Sequence, residues 1–238
     1  MIIIKKQSFL KGSTVLIASV LIAKAISALF KIPLTNILGG VGIGYFSSAY
    51  GLFLPLYAVT AVGLTTAVAK LTADNIALKQ YRNARKIRDV SLIGFTIAGL
   101  LCTILIILAA RPFADYIVKS PKSYLSVMVL APSILFGCIT AVFRGYFEGL
   151  RSFTPTAVSQ VVEAVVKLAS GLLLCIYAIK QGYPIEIVSA FAIAGVTLST
   201  LAGLIYTAFA CRKDGFPTLD DYTERKRVII RKILKIFF

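Results

Sequence analysis

Charged residues gather into short clusters along this chain, and between the clusters run long stretches with none. Positions 12–23, 32–69, 90–110, 123–143 and 187–211 hold no Asp, Glu, Lys or Arg, and 152–162 and 168–179 flank a polar patch around Glu163 and Lys167. A mostly apolar run of about 20 residues can cross a bilayer as a helix. The runs therefore predict six spanning helices, near 9–31, 43–69, 90–110, 123–143, 158–179 and 187–210. A membrane barrel would need alternating strands of about ten residues, whereas a stretch such as LLCTILIILAA at 100–110 is continuously apolar. The fold class is all-α, an integral membrane bundle of six transmembrane helices. It divides into a six-helix lobe over 1–211 and a basic, amphipathic cytoplasmic tail over 212–238.

Composition supports this reading. Of 238 residues, 58% are hydrophobic and 15% charged, where a soluble domain carries about 45–50% apolar and ~25% charged residues. The 26 Lys and Arg outnumber the 10 Asp and Glu, for a net charge of +16. Such an excess could signal nucleic-acid binding, but that would need a basic soluble module with a recognisable motif, and none is present. Topology accounts for the cations. With the N-terminus in the cytoplasm, nineteen Lys and Arg fall on the inner side, including Arg144, Arg151 and the 70–88 cluster, against five outside: Lys31, Arg111, Lys119, Lys122 and Lys180. The positive-inside bias then places both termini in the cytoplasm. The first 25 residues could pass for a signal peptide ending at Ala23-Lys24-Ala25. The cation inside that triplet and the apolar continuation to Phe30 favour an uncleaved first span.

Breaks and loops follow from the turn residues. The run Gly39-Gly40-Val41-Gly42-Ile43-Gly44 marks a tight turn between the first two spans, and its Gly40-x-x-x-Gly44 spacing is too weak to read as a packing face. Pro55 and Pro132 permit kinks inside spans. A long inner loop runs from Lys70 to Asp89. In the tail, Ile229, Ile230, Ile233, Leu234 and Phe237 share a helical face opposite Arg227, Arg231, Lys232 and Lys235, which predicts a segment lying against anionic lipid. Cys102, Cys138, Cys175 and Cys211 fall in or at the ends of spans without metal-type spacing, so they read as small apolar packing residues.

The charges inside the spans carry the candidate chemistry. A cation at mid-helix costs about 2.5–3.5 kcal/mol on insertion scales and is kept where a polar partner or a wet cavity receives it. Lys24 sits near the middle of the first span, and Glu163 and Lys167 stand one turn apart on the fifth, in the order that favours an ion pair on one helix face. With Lys31, these groups give a cavity carrying a net +2, suited to a phosphate or pyrophosphate. Catalysis is disfavoured. The chain has no His, no acid pair within a span and no thiol in a cationic setting, so no catalytic residue, metal or cofactor is expected.

Three stretches, KGSTVLIASVLIAKAISALFKIPL at 11–34, LTTAVAKLTAD at 64–74 and RGYFEGLRSFTPTAVSQVVEAVVKL at 144–168, resemble the polysaccharide-transporter branch of the multidrug/oligosaccharidyl-lipid/polysaccharide flippase superfamily. That branch includes the lipid II flippases. The resemblance implies a bacterial plasma-membrane carrier that flips an undecaprenyl-pyrophosphate-linked glycan by alternating access between two six-helix lobes. It also implies that Lys24 and Lys31 are cavity-facing cations on a first helix running past Pro33. Where lipid II flippases carry a second-helix arginine and an acid after the second lysine position, this chain has Gly51 and Ile32. A related lipid-linked glycan is therefore expected rather than lipid II. The first helix lacks the acid of cation-exchanging multidrug relatives, which disfavours drug export. Only the front lobe is expected here. Its partners would be membrane lipid, an anionic lipid-linked glycan and a second six-helix lobe, as a separate chain or by self-pairing. The competing reading is a truncated or non-transporting membrane subunit.

Overall fold

The computed structural model describes residues 9–58, 63–212, 228–230 and 232–233. Among the described residues up to Arg212, seven α-helices follow one another: α1 (Phe9–Tyr57), α2 (Gly63–Ala77), α3 (Tyr81–Pro112), α4 (Tyr124–Leu130), α5 (Pro132–Gly149), α6 (Thr154–Lys180) and α7 (Ile185–Arg212). Short π and 3-10 turns at Phe113–Ile117 and Pro121–Ser123 join α3 to α4. Among the described residues, five stretches are long and apolar enough to cross a membrane, the first running over Leu10–Tyr57.

That first stretch is about twice the length a bilayer requires, and its backbone shows why. Gly39 has φ 62° and ψ −173° in the middle of α1, a region of backbone space open essentially to glycine alone. The chain reverses there. The rings of Phe30 and Phe46 lie 6.2 Å apart, whereas sixteen residues of straight helix would separate them by roughly 24 Å. α1 is thus a helical hairpin of two legs, 9–38 and 40–57, packed side by side. The expected Gly39–Gly44 turn contracts to a single residue, because the glycines after it continue the helix. The first leg also runs unbroken through Pro33.

The core forms where both legs meet α4, α5, α6 and α7 around Leu34, Ile134, Ala192 and Ile193. α6 and α7 form the most extensive pairing, α1 packs on both, and α2 and α3 pack on α5. Outside this core α3 exposes Ile93, Ile97, Leu100, Leu101, Ile104, Leu105 and Leu108. A stripe that large would drive association in water, and in acyl chains it is the ordinary outer surface of a spanning helix.

Several sequence expectations change. The supposed long inner loop is mostly helix: α2 ends at Ala77 and α3 begins at Tyr81, joined through Lys79 at φ 60°. Hydropathy stops at the first charges, but the helices carry on past the apolar slab. The weak Gly40-x-x-x-Gly44 pair meets nothing, while Gly145 and Gly149 of α5 let α2 approach closely: a Cβ at Gly145 would lie 2.6 Å from the Thr65 carbonyl oxygen. This is the small-x-x-x-small packing of membrane helices, located in a different segment. In the tail, Ile229 and Ile233 are buried against Leu71, Ile87 and Val90, so these two positions face protein rather than lipid, while Ile230 is exposed. Leu234, Phe237 and most of the tail's cations lie outside the described residues.

Candidate ligand site

A cavity of about 350 Å³ opens inside the bundle between the hairpin and α6–α7. Helical spacing builds each wall. The first leg presents Val20, Ala23, Lys24 and Ser27; the second presents Tyr50, Phe53 and Tyr57. α6 contributes Gln160, Glu163 and Lys167, and α7 adds Ser199 and Thr200. These spacings of three, four and seven residues place each set along one face of its helix. The cavity therefore has an aromatic side, a hydroxyl side and three cations, counting Arg144 of α5.

The charges fall into two classes. Arg144 is buried, with Nη2 2.8 Å from Glu163 Oε1. Its Nε donates a 2.9 Å hydrogen bond to Ser159 Oγ, and that hydroxyl in turn donates to the Thr156 carbonyl. The Nη2 contact is an ion pair by distance, without the alignment of a hydrogen bond. On the far side the Glu163 carboxylate presses against α7 at Gly203, where a Cβ would collide with Oε1. Glycine at 203 is thus what lets the carboxylate reach this position. Together these contacts tie α5, α6 and α7 with one neutral pair.

The lysines are held differently. Lys167 Nζ donates a 2.7 Å hydrogen bond to Ser27 Oγ of the first leg. Beside it, Ser19 Oγ donates to Gln160 Oε1 at 3.0 Å, a second polar stitch between this leg and α6. Lys24 lines the cavity as an exposed side chain, with no ion-pair or hydrogen-bond partner among the described residues. Lys31, two turns further toward Gly39, is exposed and does not border the cavity. There the first leg turns Phe30, Leu34 and Leu38 into the core.

A second cavity of about 320 Å³ lies beyond Tyr57, Arg144 and Gln160, which border both, and adds Thr65, Thr66 and Glu148. Among the described residues no group of three His, Cys, Asp or Glu could hold a metal ion. Cys138, Cys175 and Cys211 are buried and in no disulfide, and Cys211 Sγ accepts a 3.2 Å hydrogen bond from Arg88.

Lys24, Glu163 and Lys167 thus come together around one space, and Lys31 stands apart. The expected Glu163–Lys167 ion pair does not form. Glu163 is taken by Arg144 from the neighbouring helix, and Lys167 turns to Ser27. Arg144 is the residue the sequence reading misplaced, as a cytoplasmic loop cation. Hydropathy ended the fourth span at 143, yet α5 continues to Gly149 and carries Arg144 into the interior. The available signal was that an intramembrane acid needs a counter-ion, and Arg144 is the nearest cation on an adjoining span.

Comparison with known proteins agrees with this architecture. Stage V sporulation protein B of Bacillus subtilis (strain 168) is 29% identical over 208 residues, covering 87% of this chain and 40% of that protein. The lipid II flippase MurJ of the same organism is 23% identical over 170 residues, covering 68% of this chain and 31% of its own length. Among solved structures, a MOP superfamily transporter from Pyrococcus furiosus superposes with a TM-score of 0.76 at 18% identity, over 95% of this chain and 51% of that one. The chain spans about two fifths or less of the length of these curated relatives. The model of the family described as polysaccharide biosynthesis protein matches residues 9–238. With a match over nearly its whole length, this membrane-helix bundle belongs to the polysaccharide biosynthesis protein family.

Proposed function

We propose that this chain supplies one wall of a flippase for lipid-linked glycan precursors, with Lys24 and Lys167 receiving the anionic pyrophosphate of an undecaprenyl-type carrier. The observation that carries the reading is the division of charge in the cavity. Arg144 and Glu163 cancel each other, so the lining keeps the two lysines and no free acid. Two ammonium groups beside serine and threonine hydroxyls favour an oxyanion and disfavour a cation. Family membership and the likeness to a lipid II flippase support glycan-linked cargo over drug export.

In this reading the two legs of α1 count as separate crossings, giving six. The excess of inner-side Lys and Arg places both termini in the cytoplasm of a bacterial plasma membrane. A second six-helix lobe faces Lys24 across the cavity and completes it, because substrate sites of repeat-built transporters form between the repeats. The test is translocation of a fluorescent undecaprenyl-pyrophosphate glycan in vesicles containing this chain and a second lobe. Lys24→Ala should abolish flipping at unchanged expression, and unaltered flipping would overturn the assignment.

A further inference from the structure

The second leg of α1 carries an aromatic ladder on one face. Phe46, Tyr50, Phe53 and Tyr57 recur at intervals of four, three and four residues. Their ring centroids follow one another at 4.8, 6.0 and 5.1 Å. The two residue types differ in burial: the phenylalanines are buried, Phe53 reaching the cavity wall as well, while the tyrosines are half-buried and border the cavity. Packing alone would be served by phenylalanine throughout. Tyrosine suits a surface whose body is apolar and whose tip is wet. The hydroxyl of Tyr50 makes no hydrogen bond among the described residues, although it opens on a cavity of about 350 Å³.

Across that space stand Lys24 and Lys167. The cavity therefore offers two chemistries to one ligand: ammonium groups on one side, and flat rings with a hydroxyl on the other. A phosphate gains nothing from a ring face, whose π cloud is negative. A pyranose suits it, because one face of the sugar is a sheet of C–H bonds and its rim is hydroxyl.

We infer that Tyr50 and Tyr57 form the sugar subsite of this cavity, stacking the first pyranose of the glycan while the lysines hold the pyrophosphate to which it is attached. This rests on the reading of the cavity as a lipid-linked glycan site. It adds which wall recognises the uncharged part of the cargo, and so which residues set preference among glycans.

The test uses two probes with the chain co-purified in detergent with a second lobe: a short-chain polyprenyl pyrophosphate, and the same molecule bearing one N-acetylhexosamine. In the unmodified protein the sugar should improve affinity by about threefold to tenfold, the range of one aromatic contact. Tyr50→Leu should bring the ratio of the two affinities close to one, and Tyr50→Phe should keep most of it, since the ring face remains. Lys24→Ala should weaken both probes alike and leave the ratio standing.

A ratio that survives in Tyr50→Leu and in Tyr57→Leu overturns the sugar subsite while leaving the pyrophosphate site intact. Failure of the sugar-free probe to bind, or its indifference to Lys24→Ala, removes the glycolipid reading and this subsite with it. A measurement on the unmodified chain guards against misfolded variants. A photoreactive diazirine on the sugar should label residues 50–57, and labelling confined to α6 or α7 overturns the proposal.

Discussion

Two sets of charges line the same cavity, and they are treated in opposite ways. Arg144 and Glu163 face each other across a helix boundary, with a serine behind the guanidinium and a backbone glycine behind the carboxylate. Lys24 and Lys167 border the open cavity, one without a partner among the described residues and the other on a neutral hydroxyl. A buried pair of opposite charges is complete in itself. Removing one member strands the other, which is why such pairs are costly to break and often cheap to replace as a whole. A cation left without a counter-charge beside an open cavity is free to take one from a ligand. The contrast separates the groups that hold the helices together from those that, in the function proposed above, meet the cargo.

The largest effect expected on this contrast comes from breaking the pair on one side. Glu163→Gln leaves Arg144 buried without its counter-charge and should cost about 3–5 kcal/mol of stability, read as a loss of thermal unfolding temperature in detergent. Next is Gly203→Ala, which adds a methyl where the carboxylate rests and should cost about 1–3 kcal/mol in the same measurement. Lys24→Ala should leave the unfolding temperature nearly unchanged. It should weaken binding of a polyprenyl pyrophosphate by about tenfold to a hundredfold, the worth of one charge-assisted contact. The smallest effect belongs to the joint replacement of Arg144 by Met and Glu163 by Leu, whose stability should fall within ~1 kcal/mol of the parent chain. A joint variant as unstable as Glu163→Gln would mean that the pair is more than self-neutralising.

Much of this was legible in the sequence because membrane helices announce themselves by continuous apolarity. The apolar runs locate the helices, and Lys24, Glu163 and Lys167 stand out as charges where charges are expensive. Less legible was anything that depends on helix ends. Arg144 lies only one residue beyond an apolar run, so hydropathy assigned it to a loop, although its helix continues to Gly149. Local pairing rules put Glu163 with Lys167 on their own helix, and a bidentate-capable guanidinium from α5 outcompeted that weaker option. The aromatic ladder was visible as spacing, but which of its rings face the core and which the cavity depends on how the second leg rotates against its neighbours. Ile229 and Ile233 show the same limit, since an amphipathic pattern does not reveal whether its apolar face meets lipid or protein.

The reversal at Gly39 also constrains how such a lobe can move. A hairpin closed by one residue leaves its legs little slack to slide past one another, which keeps Lys24 in register with the rings of the second leg. Its seam with α6 and α7 joins apolar packing to two single hydrogen bonds, Lys167 on Ser27 and Ser19 on Gln160.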